Sequence, residues 1–135
     1  GNAESLLILK LGDNANEEPV SGFTGQLPAS LGNLKNLVQL EVFSNRLTDS
    51  LPTEWGALDK LQTLDIEYNP IDGSVPVEYS GMTSLREFYL SNTGIEGAVP
   101  EEVCADSLQF FVVDCNVVCT CCSRCVEEGT SGRAR

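Results

Sequence analysis

Apolar and polar positions alternate along this chain in a pattern that returns. Five segments read L-x-x-L-x-L-x-x-[N/T], allowing aliphatic or aromatic exchange. They are LLILKLGDN (6–14), LVQLEVFSN (37–45), LQTLDIEYN (61–69), LREFYLSNT (85–93) and LQFFVVDCN (108–116). The alternation Leu40/Val42, Leu64/Ile66 and Phe88/Leu90 has the period of two that sends one set of side chains to one face of a short strand. Behind the first four segments stand Pro28, Pro52, Pro76 and Pro100, at one constant interval. Each follows an aliphatic residue (Leu27, Leu51, Val75, Val99) and opens a return segment. Proline's fixed φ and missing N–H suit an extended or helix-starting position there. One such unit cannot bury its apolar face alone, so the units must stack into a continuous column.

The asparagine that closes the pattern (Asn14, Asn45, Asn69, Asn116) carries the donor and acceptors to satisfy turn backbone between units. The fourth segment has Thr93 instead, so that rung should be weaker or use another partner. The pattern resembles the leucine-rich repeat. Its continuations FTGQLP, LTDSLP, IDGSVP and IEGAVP are similar to the plant-specific subclass, known in receptor ectodomains and secreted inhibitors. The resemblance covers about residues 6 to 116. It implies an α/β repeat fold: a short right-handed solenoid of about five 24-residue rungs, with a parallel sheet on the concave face. A second short strand and 3₁₀-type turns would lie behind. Gly25, Gly73 and Gly97 match the family's turn glycine. Asp49 departs from it, and aspartate tolerates such turns nearly as well. Trp55, Tyr79 and Val103 stand where the family buries an aliphatic residue and are expected in the core.

Two features depart from the pattern. The interval from Leu6 to Leu37 exceeds the regular one by the length of ANEEPVS (15–21), which should form an inserted loop. The paired-cysteine segment that precedes the first repeat in the family is also missing. The first rung, around Leu6–Leu11, is then either preceded by further chain or covered in another way.

All six cysteines lie at the C-terminal side: Cys104, then Cys115, Cys119, Cys121, Cys122 and Cys125. They fall where the column of leucines runs out, and solenoid ends need caps. Three disulfides are expected, among fifteen possible pairings; Cys121–Cys122 is the pair least compatible with disulfide geometry. A bond from Cys104 into 115–125 would tie the fourth unit to the cap. A zinc site would want paired C-x-x-C knuckles, and a thioredoxin-like centre would want a βαβ context around Cys122-Ser-Arg-Cys125; neither is present. Disulfides imply an extracellular or secretory-lumen location, with any signal peptide removed. The expected division is repeats over 1–116, a cysteine-rich cap over 117–128 and a flexible tail over 129–135.

Charge narrows the partners. Twenty acidic against 8 basic residues give a net charge of −12, with no histidine. Nucleic acid wants a basic surface and is not expected as a partner. No apolar run has the length of a membrane helix. No nucleophile elbow, phosphate loop or metal-ligand set appears, so neither enzyme activity nor a cofactor or metal is expected. DNANEE (13–18) lacks the spaced ligands of a calcium loop. No N-glycosylation sequon occurs. Oligomeric state is not legible.

Function should then lie on the concave face, whose outward positions follow from the register. The middle rungs place Glu41, Phe43, Asp65, Glu67, Tyr68, Glu87 and Tyr89 there. Aromatic anchors among carboxylates suit a protein, peptide or glycan ligand, with a basic one favoured. The same residues also meet the plain demand that a solenoid face be soluble. The expected role is a non-catalytic extracellular recognition module, either part of a receptor-like ectodomain or a free secreted binder. The alternative is a structural or adhesive subunit docking through its outer face or a solenoid end.

Overall fold

A computed structural model describes residues 7–12 and 22–127. Leu6, Asp13, Asn14, the 15–21 segment, the 13–18 acidic loop, Glu128 and the 129–135 tail lie outside the described residues. Six short strands form one parallel sheet: β1 (Ile8–Lys10), β3 (Gln39–Glu41), β5 (Thr63–Asp65), β6 (Glu87–Tyr89), β7 (Phe110–Asp114) and β8 (Arg124–Val126). They lie in chain order, each beside its predecessor. A second, two-stranded parallel sheet pairs β2 (Thr24–Gln26) with β4 (Arg46–Thr48). Isolated bridges Ser50↔Asp72 and Ala98↔Val118 continue that pairing along later rungs.

Between sheets, each return segment makes a 3₁₀ turn: Ala29–Asn33, Thr53–Ala57, Val77–Gly81 and Glu101–Val103. Each is preceded by its proline, at φ between −59 and −70°. The proline carbonyl accepts the N–H three residues on, as in Trp55 N–H to Pro52 O at 3.3 Å and Val103 N–H to Pro100 O at 3.0 Å. Proline has no N–H of its own, so opening the turn with it leaves no donor stranded.

The core is a set of columns one rung apart. In-register pairs run Leu9, Leu40, Leu64, Phe88, Phe111, and all but Leu9 are buried. Leu37, Leu61 and Leu85, then Leu47, Ile71 and Ile95, line up behind them, also buried. Fully burying one such side chain contributes about 1.5–3 kcal/mol, so the stack rather than any single rung carries stability. Trp55, Tyr79 and Val103 are buried as expected. The Trp55 indole Nε1 donates to Pro28 O at 2.9 Å, and the Phe88 and Phe111 rings stack with centroids 4.7 Å apart.

The asparagine ladder takes the expected form at two rungs. Asn45 Nδ2 donates to Val42 O and Leu11 O, and its Oδ1 accepts Phe23 N–H. Asn69 repeats this with Ile66 O, Val42 O and Leu47 N–H. At the fourth rung the Thr93 hydroxyl donates to Leu90 O at 2.8 Å. The Asp114 carboxylate one rung on accepts Asn92 N–H and Thr93 N–H, so it serves turn backbone that the shorter side chain does not reach. Asn116, expected as the next rung of the ladder, is exposed instead. The chain turns at 115–116 directly after the five-residue strand β7, and buried Asp114 ends the ladder.

Gly25, Asp49, Gly73 and Gly97 all adopt positive φ, at 92, 65, 80 and 84°. Asp49 therefore fills the glycine position in the same left-handed conformation.

Three disulfides close the C-terminal end: Cys104–Cys121, Cys115–Cys125 and Cys119–Cys122. The first ties the last 3₁₀ turn to the cap. The second joins the end of β7 to β8, a strand that the cysteine spacing gave no hint of. Ser123 locks β8 in place: its Oγ accepts Phe111 N–H at 2.9 Å and its N–H donates to Phe111 O. Val126 is buried against the last rung.

Candidate functional site: the concave sheet face

The outward positions of the six-stranded sheet form two in-register rows. One runs Ile8, Gln39, Thr63, Glu87, Phe110; the other runs Lys10, Glu41, Asp65, Tyr89, Val112, Arg124. The first two rungs are internally paired. Lys10 Nζ lies 3.7 Å from Glu41 Oε2, and the Gln39 side-chain amide donates to the other Glu41 oxygen. On β6, the Tyr89 hydroxyl donates to Glu87 Oε2 at 3.0 Å. Glu41, Glu87 and Tyr89 are half-buried and present polar atoms to the open side of the sheet.

Two expected site residues differ in exposure. Asp65 and Glu67, placed by the register on the solvated face, are 0% and 4% exposed. Strand spacing of about 4.8 Å lets flanking side chains close over a short carboxylate. Asp65 then turns its Oδ1 to the Glu67 N–H at 3.1 Å. Glu67 accepts the Ser91 hydroxyl at 2.6 Å. These two acids brace the sheet through hydrogen bonds.

The two remaining aromatics sit at the rim. The Phe43 ring packs over Gly12, where an added Cβ would lie 2.6 Å from ring carbons. Tyr68 is half-buried in the bend that follows β5, with φ +56°. That is an unusual conformation for a bulky residue, and the Tyr68 N–H bond to Ser91 O helps to hold it. Phe110, Val112 and Arg124 also stand in these rows, outside the middle rungs singled out from the sequence. The signal for the first pair was FFVVD, apolar on both faces of one strand. The signal for Arg124 was absent, because nothing in CCSRCV announces a strand.

A second feature lies at the other end. Leu9, Leu11, Phe23, Leu27, Leu31, Val42 and Leu47 line an apolar cavity of about 230 Å³ between β1, β2 and the first 3₁₀ turn. Leu7, Ile8, Leu11 and Phe23 are exposed beside it.

A parallel sheet of stacked rungs, 3₁₀ turns behind it and a disulfide-bonded end define a short leucine-rich repeat solenoid with a cysteine-rich C-terminal cap. The leucine rich repeat family matches residues 35–95. Among solved structures, the chain is similar to the Arabidopsis receptor kinase HAESA, solved with the peptide hormone IDA and the co-receptor SERK1. Identity is 31% and the TM-score 0.66, over 70% of this chain and 16% of that one. It is also similar to the plant peptide hormone receptor RGFR1 in complex with RGF2, at 28% identity and TM-score 0.64, over 73% and 15%. The Arabidopsis BIR2 ectodomain matches at 28% identity and TM-score 0.67, over 78% and 54%. The chain thus spans well under two thirds of each of these proteins. No curated protein matches its sequence. Among the described residues, no helix is long and apolar enough to cross a membrane.

Proposed function

We propose that this chain is a non-catalytic extracellular recognition module that binds a protein, peptide or glycan on its concave sheet face, with a basic peptide segment the best fit. One observation carries the reading. All-parallel sheets are normally covered on both faces, whereas here 3₁₀ turns and core columns cover one face and the other holds Glu41, Glu87 and Tyr89 open. The chain's net charge of −12 favours approach of a cationic partner. The similar receptors HAESA and RGFR1 were solved with a peptide hormone and with RGF2, which supports a peptide ligand. The three disulfides support an oxidising compartment.

The test is selection of displayed random peptides on the wild-type chain, followed by affinity measurement against a Glu41→Ala/Tyr89→Ala variant. Selected peptides should be rich in lysine and arginine and bind the variant about tenfold or more weakly. Equal affinity for both proteins would sink the concave-face reading.

The apolar cavity and exposed Leu7, Ile8, Leu11 and Phe23 favour a second reading, docking through the N-terminal end of the solenoid. Concentration-dependent sedimentation that Phe23→Ser abolishes would support it; a monomer at all concentrations would argue against self-association by this route.

A further inference from the structure

Strand β7 breaks the rule its neighbours obey. Outward residues on β3, β5 and β6 are polar or carry a polar tip: Gln39 and Glu41, Thr63 and Asp65, Glu87 and Tyr89. On β7 the first two residues of that face, Phe110 and Val112, are apolar and the third, Asp114, is buried and bonded to turn backbone, while Phe111 and Val113 already fill the core. Phe110 is 52% exposed. A strand with one solvated face reads apolar inward and polar outward, so the core has no use for this phenylalanine. The register sets Glu87 directly beside Phe110, Tyr89 beside Val112, and Arg124 on the far side of Val112. Across three strands, each about 4.8 Å from the next, the face therefore runs from carboxylate through apolar surface to guanidinium.

We propose that this C-terminal end of the concave face is the anchoring subsite for a peptide segment that carries one large apolar side chain with lysine or arginine close beside it. The inference rests on the concave-face reading and specifies what that face selects. The apolar side chain packs on Phe110 and Val112, as a desolvated anchor ringed by polar contacts. The cation meets Glu87, whose carboxylate the Tyr89 hydroxyl holds in place at 3.0 Å. Arg124, brought into the sheet by the cap, repels a cation at the opposite side. It thereby sets the direction in which the segment lies, apolar residue toward the cap and basic residue toward the middle rungs. The cap is then part of the recognition surface as well as an end-plug.

The experiment titrates ¹⁵N-labelled protein with a blocked hexapeptide containing one phenylalanine and two lysines. Control peptides replace the phenylalanine by alanine or the lysines by glutamate. The parent peptide should shift amides of β6, β7 and β8, and both controls should bind about tenfold or more weakly. Phe110→Ala and Phe110→Gln should each give a similar loss with an otherwise unchanged amide spectrum, since the side chain is outside the core. Glu87→Gln should weaken the lysine preference, and Arg124→Glu should erase the directional preference between Phe-Lys-Lys and Lys-Lys-Phe orders. If the alanine control binds as well as the parent, or Phe110 variants keep full affinity, the anchor is wrong. Loss of binding in Glu41→Gln alone would then leave the broader concave-face reading standing. Shifts confined to residues outside the sheet, or none at millimolar peptide, would overturn both.

Discussion

The Ser91 hydroxyl donates to a carboxylate oxygen of Glu67, 2.6 Å away on the adjacent rung, and both residues are buried. A buried acceptor that loses its hydrogen-bond donor keeps its desolvation cost. Ser91→Ala should therefore destabilise the protein by about 1–3 kcal/mol, read as a lower urea midpoint with unchanged slope. An unchanged midpoint would show that this bond has no net worth.

The ladder predicts unequal losses at equivalent positions. Asn69 donates to Ile66, Val42 and Glu67 carbonyls and accepts Leu47 N–H, so it links two rungs. Thr93 donates to Leu90 O and accepts Ile95 N–H, both within its own rung. Asn69→Ala should cost roughly 2–4 kcal/mol and Thr93→Ala about 1 kcal/mol, from the number of groups left unpaired. Thermal unfolding of the two variants side by side checks the order; equal losses would contradict it.

Close approach of the convex turns makes a third expectation. A Cβ on Gly56 would lie 2.2 Å from the Glu78 carbonyl oxygen, a backbone atom that cannot swing aside. Gly56→Ala should destabilise by about 1–3 kcal/mol, as overpacking does. Gly25→Ala meets nothing within 4 Å and tests only the left-handed backbone, φ +92°. Its loss should be the smaller one, roughly 1 kcal/mol. The reverse order in calorimetry would refute the packing argument.

Tyr79 is 2% exposed, and its hydroxyl has no hydrogen-bond partner among the described residues. Burial, then the charges of Glu54 and Glu78, push its phenol well above the ordinary value of 10.0. The folded state thus holds its proton where the unfolded state releases it. This contribution to stability is unaffected below pH 10 and falls as pH rises above it. Tyr79→Phe should be neutral or stabilising by up to about 1 kcal/mol near pH 7. It should also lose less stability than wild type in denaturant titrations above pH 10; an equal alkaline loss would assign that loss to other groups.

Reduction should act first on the cap. Cys115–Cys125 is the covalent link between β7 and β8, and Cys104–Cys121 is that between the last turn and the cap. With the thiols reduced, trypsin should cut after Arg124 much faster than within the rungs. Continued protection at Arg124 would show that Ser123 and Val126 suffice to hold β8.

What the sequence disclosed, and what it hid, divides along local against cross-rung interactions. The leucine columns, the proline-led turns and the positive φ at Asp49 were legible because each follows from the regular repeat. The burial of Asp65 and Glu67 was not, since alternation places them outward and only neighbouring rungs determine how far they are covered. Asp114 taking over from Asn116, and β8 forming inside a cysteine cluster, depend on where the stack ends, which periodicity does not encode. Phe110 was written in the register all along. Its weight emerged only beside Glu87 and Arg124.

Ser44, Tyr68 and Asn92 turn the same left-handed corner on successive rungs, at φ 54, 56 and 55°. A serine, a tyrosine and an asparagine share little chemistry, so the stack imposes the corner rather than the residue choosing it. Chain length in such an architecture is quantised. Removing or adding a whole rung keeps every column in register, while a single residue inserted within a strand turns leucines outward and spoils two interfaces at once. Variation in this protein has one tolerated coarse step, and each step lengthens or shortens the open face by a single strand width.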